Sequence, residues 1–272
     1  MATLIPVTST EQLLYSTIQI STDTGSGTGF FYLYRYDNGK QVPIIVTNKH
    51  VIDNNPNISV TFSIHTGDMA KMVVDPESRS YKIFSHWIFH PTMDLCITEM
   101  NPIAQIVFAS SGRYPFYYVI DPSILATNEK LLELSAVEDV LMVGYPIGLW
   151  DSLNNFPLFR RGITSSHPGV DFIDPSMGVV DMACFPGSSG SPIFINNPLG
   201  YFDKKEKKFL LGKGRFLFLG ILSSGPQMSA SGTISIQDIP TKQAVISQTP
   251  VMINLGYYIK AYELEYFKPL FV

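Results

Sequence analysis

What most limits this chain is a succession of short apolar runs, each closed by a turn residue. They read "TGFFYLYRY", "PIIVTN", "ISVTFSI", "KMVVD", "VLMVGYP", "SPIFIN" and "RFLFLGILSSG". Each is rich in Val, Ile, Phe, Tyr or Thr and bounded by Gly, Pro, Asn or Asp, which is the pattern of strands. "YDNGKQ", Tyr36 to Gln41, adds a hairpin signal, because Asn-Gly accepts the positive φ of a tight turn. Helical periodicity is weak. The best candidates are "STEQLLYSTIQI", with Ser9 and Thr10 as caps, and "AYELEYF" near the end. Many short strands at close spacing predict an all-β sandwich or barrel rather than alternating βα units. A polar, loop-like stretch from Asp121 to Asp139 sets a boundary near residue 125, dividing the chain into 1–125 and 126–272.

Composition narrows the classes further. Of 272 residues, 45% are hydrophobic and only 15% charged, so a large core can form and global disorder is excluded. The net charge of −4 argues against nucleic acid as a partner. The one dense charge cluster, "DKKEKK" at Asp203 to Lys208, reads as a solvated hairpin turn. Cys96 and Cys184 lie in apolar surroundings and read as buried thiols, not a disulfide framework. The N-terminus lacks the basic start and continuous apolar stretch of a secretory signal. No run approaches the roughly 18 apolar residues of a membrane helix. A soluble, cytoplasmic protein is expected.

The stretch "PGSSGSP", residues 186 to 192, places three serines between glycines and prolines. A serine nucleophile needs a base, and the base an orienting acid. The histidines are His50, His65, His86, His90 and His167, and all precede this stretch. That excludes the order serine, acid, histidine of the α/β-hydrolases, and the G-x-S-x-G elbow fails as well. The order histidine, aspartate, serine remains. His50 ends "IIVTNKH", Asp94 opens an apolar run in "HPTMDLCI", and Ser189 follows at gaps of 44 and 95 residues. These gaps lie close to those of the serine-protease triad, about 45 and about 93.

Together these motifs resemble the trypsin-like serine peptidases, and most closely the bacterial HtrA/Deg-like branch. "GSGTGFFY" resembles its glycine-rich strand opening, "IIVTNKHVI" its histidine motif and "HPTMDLCI" its aspartate motif. "VVDMACFPGSSGSPIF" resembles the nucleophile motif, "GILSSGP" the substrate-binding strand, and "LGYYIKAYELEYF" the final strand and helix. The resemblance implies an all-β, chymotrypsin-like double six-stranded β-barrel with a short C-terminal helix. It implies His50, Asp94 and Ser189 as catalytic residues, with Ser188 and Ser191 as non-nucleophilic neighbours. It places the oxyanion hole at the N–H groups of Gly187 and Ser189. The specificity pocket falls on Ala183, Cys184, Ser223, Ser224 and Gly225, with Ser223 also hydrogen-bonding the triad acid.

Departures from the family carry their own expectations. Ser188 stands where trypsin-type zymogens have an aspartate that pairs with a freed N-terminus, so activation by that ion pair is not expected. Ala183 at the primary specificity position offers no carboxylate, which predicts an uncharged P1 residue such as Leu, Met, Val or Phe, with Asp181 close enough to matter. Ser191 replaces the usual glycine and adds bulk beside the nucleophile. It is the best argument for a second reading, a catalytically silent protease fold used as a binding module. No PDZ-type domain follows the second half, so restraint is expected from oligomerisation or from an activating or regulatory protein partner. The expected substrate is protein or peptide. No metal, cofactor, nucleic acid or membrane is expected. "HWIFH" suits a strand and turn better than a metal-binding helix, and "GSGTG" leads into a strand, not the helix a phosphate loop requires.

Overall fold

The computed structural model describes residues 5–23, 25–53, 58–65, 74–83, 85–234 and 245–271. The first part of the chain forms a curled eight-stranded antiparallel sheet. Its strands are β1 (Thr17–Ser21), β2 (Ser26–Arg35), β3 (Gln41–Thr47), β4 (Ile58–His65), β5 (Val74–Ile83), β6 (Ile88–Phe89), β7 (Cys96–Glu99) and β8 (Pro115–Phe116). They run in the order β5-β4-β1-β2-β3-β7-β6, with β8 pairing off β4. The second part closes into a six-stranded barrel of β9 (Asp139–Gly144), β10 (Leu158–Thr164), β11 (Met177–Asp181), β12 (Pro192–Asn197), β15 (Arg215–Ser224) and β18 (Leu255–Lys260). Two hairpins stand off it: β13 (Gly200–Asp203) with β14 (Lys208–Leu211), and β16 (Gln227–Ile234) with β17 (Val245–Met252). The expected chymotrypsin-like pair of curled β halves is present. Only the second closes through hydrogen bonds among the described residues; the first holds eight strands instead of six.

Local chemistry accounts for the turns. Between β2 and β3 the Tyr36 N–H donates to the Lys40 carbonyl at 3.0 Å, and Gly39 takes φ +82°. The lysine-rich "DKKEKK" does turn β13 into β14, with its middle residues exposed.

The helices depart from expectation. "STEQLLYSTIQI" is helical only over α1 (Ser9–Leu13), and the cap is Thr8, not Ser9 or Thr10. The Thr8 hydroxyl accepts the Glu11 N–H while the Glu11 carboxylate accepts the Thr8 N–H, a reciprocal box that fixes the start. The β-branched residues Thr17, Ile18 and Ile20 then take the chain into β1. "AYELEYF" lies in a 3₁₀ helix, Ala261–Phe271. A helix with no sequence expectation, α3 (Met100–Ser111), buries Met100, Ile103 and Val107 along one face and stops at Gly112 in the left-handed region. Further short helices are α2 (Lys49–Ile52) and α4 (Asn128–Leu132).

One hydrophobic cluster spans both halves. Phe30, Tyr32, Tyr34 and Val46 from the first sheet pack with Phe194, Phe218, Ile221 and Ile259 from the barrel. Phe30 meets Phe218 edge to face, with centroids 5.4 Å apart at 79°. Removing a buried Phe of this kind costs about 3–5 kcal/mol. The C-terminal 3₁₀ helix returns to the first half, where Tyr34 and Tyr36 donate their hydroxyls to the Leu264 and Lys268 carbonyls, both at 2.6 Å. Cys96 and Cys184 are buried free thiols.

Candidate active site

His50, Asp94 and Ser189 converge where the two halves meet. His50 sits in α2, directly after β3, whose apolar run drives the chain into the core and releases it at buried Thr47. Asn48 precedes α2 in an extended conformation and donates its side-chain amide to the Asp94 carbonyl at 2.7 Å. Asp94 occupies the turn between β6 and β7, and buried His90 shapes that turn. The His90 Nδ1 accepts the N–H of Met93 at 2.9 Å and of Thr92 at 3.3 Å. His86 is exposed, so the two histidines of "HWIFH" part company.

Asp94 holds His50 by two bonds. Asp94 Oδ2 lies 2.6 Å from His50 Nδ1, and Asp94 Oδ1 accepts the His50 N–H at 3.2 Å. Ser223 donates its hydroxyl to Asp94 Oδ2 at 2.9 Å. Burial pushes the Asp94 carboxyl up, but the bonds and charge of His50 and the Ser223 hydroxyl outweigh it and hold Asp94 below its ordinary value.

Ser189 stands in the turn between β11 and β12. Gly187 and Gly190 flank it at φ +85° and +86°. A side chain at either would also collide: a Cβ on Gly187 would meet the Tyr145 carbonyl at 2.7 Å, and one on Gly190 the Thr28 carbonyl at 2.0 Å. Of the three serines, Ser188 and Ser191 are buried, and Ser189 alone reaches the cleft. The Ser191 hydroxyl fills the space over Gly144, where a Cβ would lie 2.0 Å from it. Its added bulk therefore turns away from Ser189. The Ser189 hydroxyl donates to the Ser223 carbonyl at 3.3 Å, not to His50.

The carbonyls of this turn from Pro186 to Ser189 are all partnered. The Pro186 carbonyl accepts from Ile147 N–H at 2.5 Å, Gly187 from the Thr28 hydroxyl at 3.0 Å, Ser188 from Ser191 N–H at 3.0 Å and Ser189 from Thr28 N–H at 2.8 Å. In a planar trans peptide the next N–H points opposite to the carbonyl. The N–H groups of Ser188 and Gly190 are thereby aimed at the Phe185 and Leu222 carbonyls, at 3.0 and 2.8 Å. Those of Gly187 and Ser189 donate to no acceptor among the described residues. Two free donors beside one hydroxyl can receive an oxygen on which negative charge develops.

The cleft has a volume of about 370 Å³ and is lined by Cys184, Ser223, Ser224 and Gly225 together with His50, Asp94 and Ser189. Ala183 does not reach it; Phe185, Pro186 and Leu222 form the apolar wall instead. Cys184 is nonetheless largely buried, because Gly256 leaves the room its sulfur needs, and burial pushes its thiol up to about 11. Asp181 is exposed and does not line the cleft. His167 is half-buried near Lys204, away from the cleft, and the side chain of His65 lies outside the described residues.

Three contributors carried no expectation: Thr28, Asn48 and His90. Each lies inside a quoted motif, "GSGTGFFY", "IIVTNKHVI" and "HPTMDLCI", but no local pattern marks its bonds to distant residues. No described helix is long and apolar enough to cross a membrane.

No curated protein sequence matches the chain. Among solved structures it is similar to the Rv3671c protease of M. tuberculosis H37Rv in its inactive form, with 16% identity and TM-score 0.43 over 93% of this chain and 87% of that one. It is similar to the scabies mite inactivated protease paralogue S-I1, with 11% identity and TM-score 0.49 over 96% of each chain. It is also similar to a mutant of human heparin binding protein, with 10% identity and TM-score 0.47 over 99% of this chain and 92% of that one. The family profile described as trypsin-like peptidase domain matches residues 27–198, a span that holds His50, Asp94 and Ser189, and the chain belongs to that family.

Proposed function

We propose that this protein is a serine endopeptidase that cleaves protein or peptide substrates through an acyl-enzyme. The observation that carries the reading is the pairing of the His50–Asp94 bond with the two free N–H groups of Gly187 and Ser189. A turn about one side-chain bond takes the Ser189 hydroxyl from the Ser223 carbonyl toward the imidazole. Oγ attacks the peptide carbonyl carbon, and His50 takes the hydroxyl proton. Asp94 holds the ring tautomer and stabilises the imidazolium. The oxygen of the tetrahedral intermediate is held by the Gly187 and Ser189 N–H groups. Collapse breaks the C–N bond, with the proton passing from His50 to the leaving amine, and water then releases the acid product by the same steps in reverse.

The apolar wall of Phe185, Pro186 and Leu222, with no carboxylate but Asp94 in the cleft, supports an uncharged P1 side chain. A substrate library with clear Arg or Lys preference at P1 contradicts this. We also propose a cytoplasmic location, kinship with the HtrA/Deg-like branch and restraint by a partner protein or by oligomerisation.

A second reading is favoured by one observation: the Ser189 hydroxyl is bonded to Ser223 instead of His50. In that reading the fold serves as a silent binding module. A fluorophosphonate probe separates the two, because it labels only an activated serine. Labelling that is lost in Ser189→Ala and kept in Ser188→Ala supports the peptidase. Absence of labelling in the parent, with and without cell extract, supports the silent module.

A further inference from the structure

We infer that the Thr28 hydroxyl sets the oxyanion-binding turn, making this residue of the first half a positioning residue for chemistry at Ser189. The inference rests on the peptidase reading of the cleft. Thr28 is fully buried. Its Oγ1 accepts the Tyr145 N–H at 3.0 Å and donates to the Gly187 carbonyl at 3.0 Å. A hydroxyl has one proton, so with an N–H on one side and a carbonyl on the other the direction of both bonds is fixed. The main chain of Thr28 reinforces the arrangement: its N–H donates to the Ser189 carbonyl at 2.8 Å and its carbonyl accepts the Thr47 hydroxyl at 2.8 Å.

The turn needs such a support. Gly187 carries no side chain to bias its peptide, and glycine populates several backbone wells at little cost. Ser188, buried and uncharged with an unpartnered hydroxyl, supplies no ion pair to anchor it. What holds the 187–188 peptide is the Thr28 hydroxyl on the carbonyl and the Phe185 carbonyl on the N–H. A change in ψ at Gly187 turns that peptide and carries the following 188–189 peptide with it, and so moves the Ser189 N–H, one of the two free donors. The surroundings are shaped to Thr28: a Cβ on Gly144 would lie 2.8 Å from its Oγ1.

The test compares Thr28→Val, which keeps shape and loses the hydroxyl, with Thr28→Ser, which keeps the hydroxyl. Thr164→Val is the control. Thr164 is equally buried and bridges the Glu138 N–H and the Ala136 carbonyl, both at 2.9 Å, but lies away from the cleft. Thr28→Val is expected to lower kcat about 10- to 100-fold with KM within about twofold, a part of the 10²–10³ attached to loss of a whole oxyanion donor. Affinity for a peptide boronate should fall by the same factor as kcat. Thr28→Ser should recover most of the loss, and Thr164→Val should lose stability without losing kcat.

Amide hydrogen exchange reads the same inference without activity. Protection at Tyr145, Ser188 and Gly190 should fall in Thr28→Val and persist in Thr28→Ser. A folded Thr28→Val with parental kcat, or with unchanged protection at these amides, overturns the inference. A parent that fluorophosphonate never labels overturns the peptidase reading instead, and exchange then decides whether Thr28 holds the turn.

Discussion

The Ser223 carbonyl accepts the Ser189 hydroxyl at 3.3 Å, while the hydroxyl of the same Ser223 donates to Asp94 Oδ2 at 2.9 Å. One residue thus touches Ser189 through its main chain and Asp94 through its side chain, and a substitution separates the two. Ser223→Ala keeps the carbonyl and removes one of the Asp94 bonds. A hydroxyl–carboxylate bond contributes about 1.5 kcal/mol, so kcat/KM should fall about tenfold. Peptide hydrolysis within twofold of the parent would show that the His50 bonds alone orient Asp94.

The lowered pKa of Asp94 fixes the sign of an acid effect. A carboxyl held below its ordinary 3.8 in the folded state stabilises the fold above that value. The stabilisation is lost as pH falls from there through the folded value, because the unfolded chain takes up its proton first. The melting-temperature deficit of Asp94→Asn should therefore be constant above about pH 5 and shrink below about pH 4. Melts of both proteins from pH 3 to 7 check this; a deficit that grows on acidification contradicts it.

Gly144 and Ser191 should be coupled. Gly144→Ala puts a methyl 2.0 Å from the Ser191 hydroxyl and 2.8 Å from that of Thr28. Overpacking of this kind costs about 1–3 kcal/mol. Adding Ser191→Gly clears the nearer contact and should restore part of the loss, the Thr28 contact accounting for the remainder. Urea unfolding of the two single variants and the double variant measures the coupling; strict additivity would place the strain elsewhere.

Glu138 and Arg215 form a buried pair at 2.6 Å, with side chains only 5% and 12% exposed. Arg215 also lies over the Tyr201 ring, 4.2 Å from its centroid. Glu138→Ala leaves a buried guanidinium without its counter-charge and should cost about 3–5 kcal/mol. Replacing both partners with apolar residues of similar volume should recover much of that. Denaturant titration decides, and a single-variant cost under about 1 kcal/mol would mean that water reaches the pair.

Cys184 borders the cleft yet should resist alkylation. Its thiol, raised to about 11 by burial, is almost wholly protonated at pH 8, and the thiolate is the reactive form. Iodoacetamide should modify it at less than about one hundredth of the rate of the unfolded chain. Mass spectrometry over a time course gives the rates, and fast native modification would mean that the cleft wall opens.

Much of this was legible in the residues because the relevant signals are local. "YDNGKQ" and "DKKEKK" turn where their own backbone chemistry demands, and His50, Asp94 and Ser189 each sit in a short stretch with its own turn residues. Illegible features depend on distant partners. Thr28 meets Tyr145 and Gly187 across 117 and 159 positions, and no pattern within ten residues of it carries that information. The helix α3 escaped because its buried face, Met100, Ile103 and Val107, is narrow and Pro102 reads as a breaker, although in the first turn its missing N–H is tolerated. The cleft wall also differs from the expectation, Phe185, Pro186 and Leu222 lining it where Ala183 does not, because spacing from Ser189 along the chain does not say which side chains face the cleft.

The return of the Ala261–Phe271 helix to the first half makes the two ends of the described chain depend on one another. Leu264 and Phe267 complete the cluster that Phe30, Tyr32 and Tyr34 begin. Without that segment the inner face of the early strands would lie uncovered. A cut before Leu264 should therefore loosen both halves at once, and with them the cleft where His50, Asp94 and Ser189 meet.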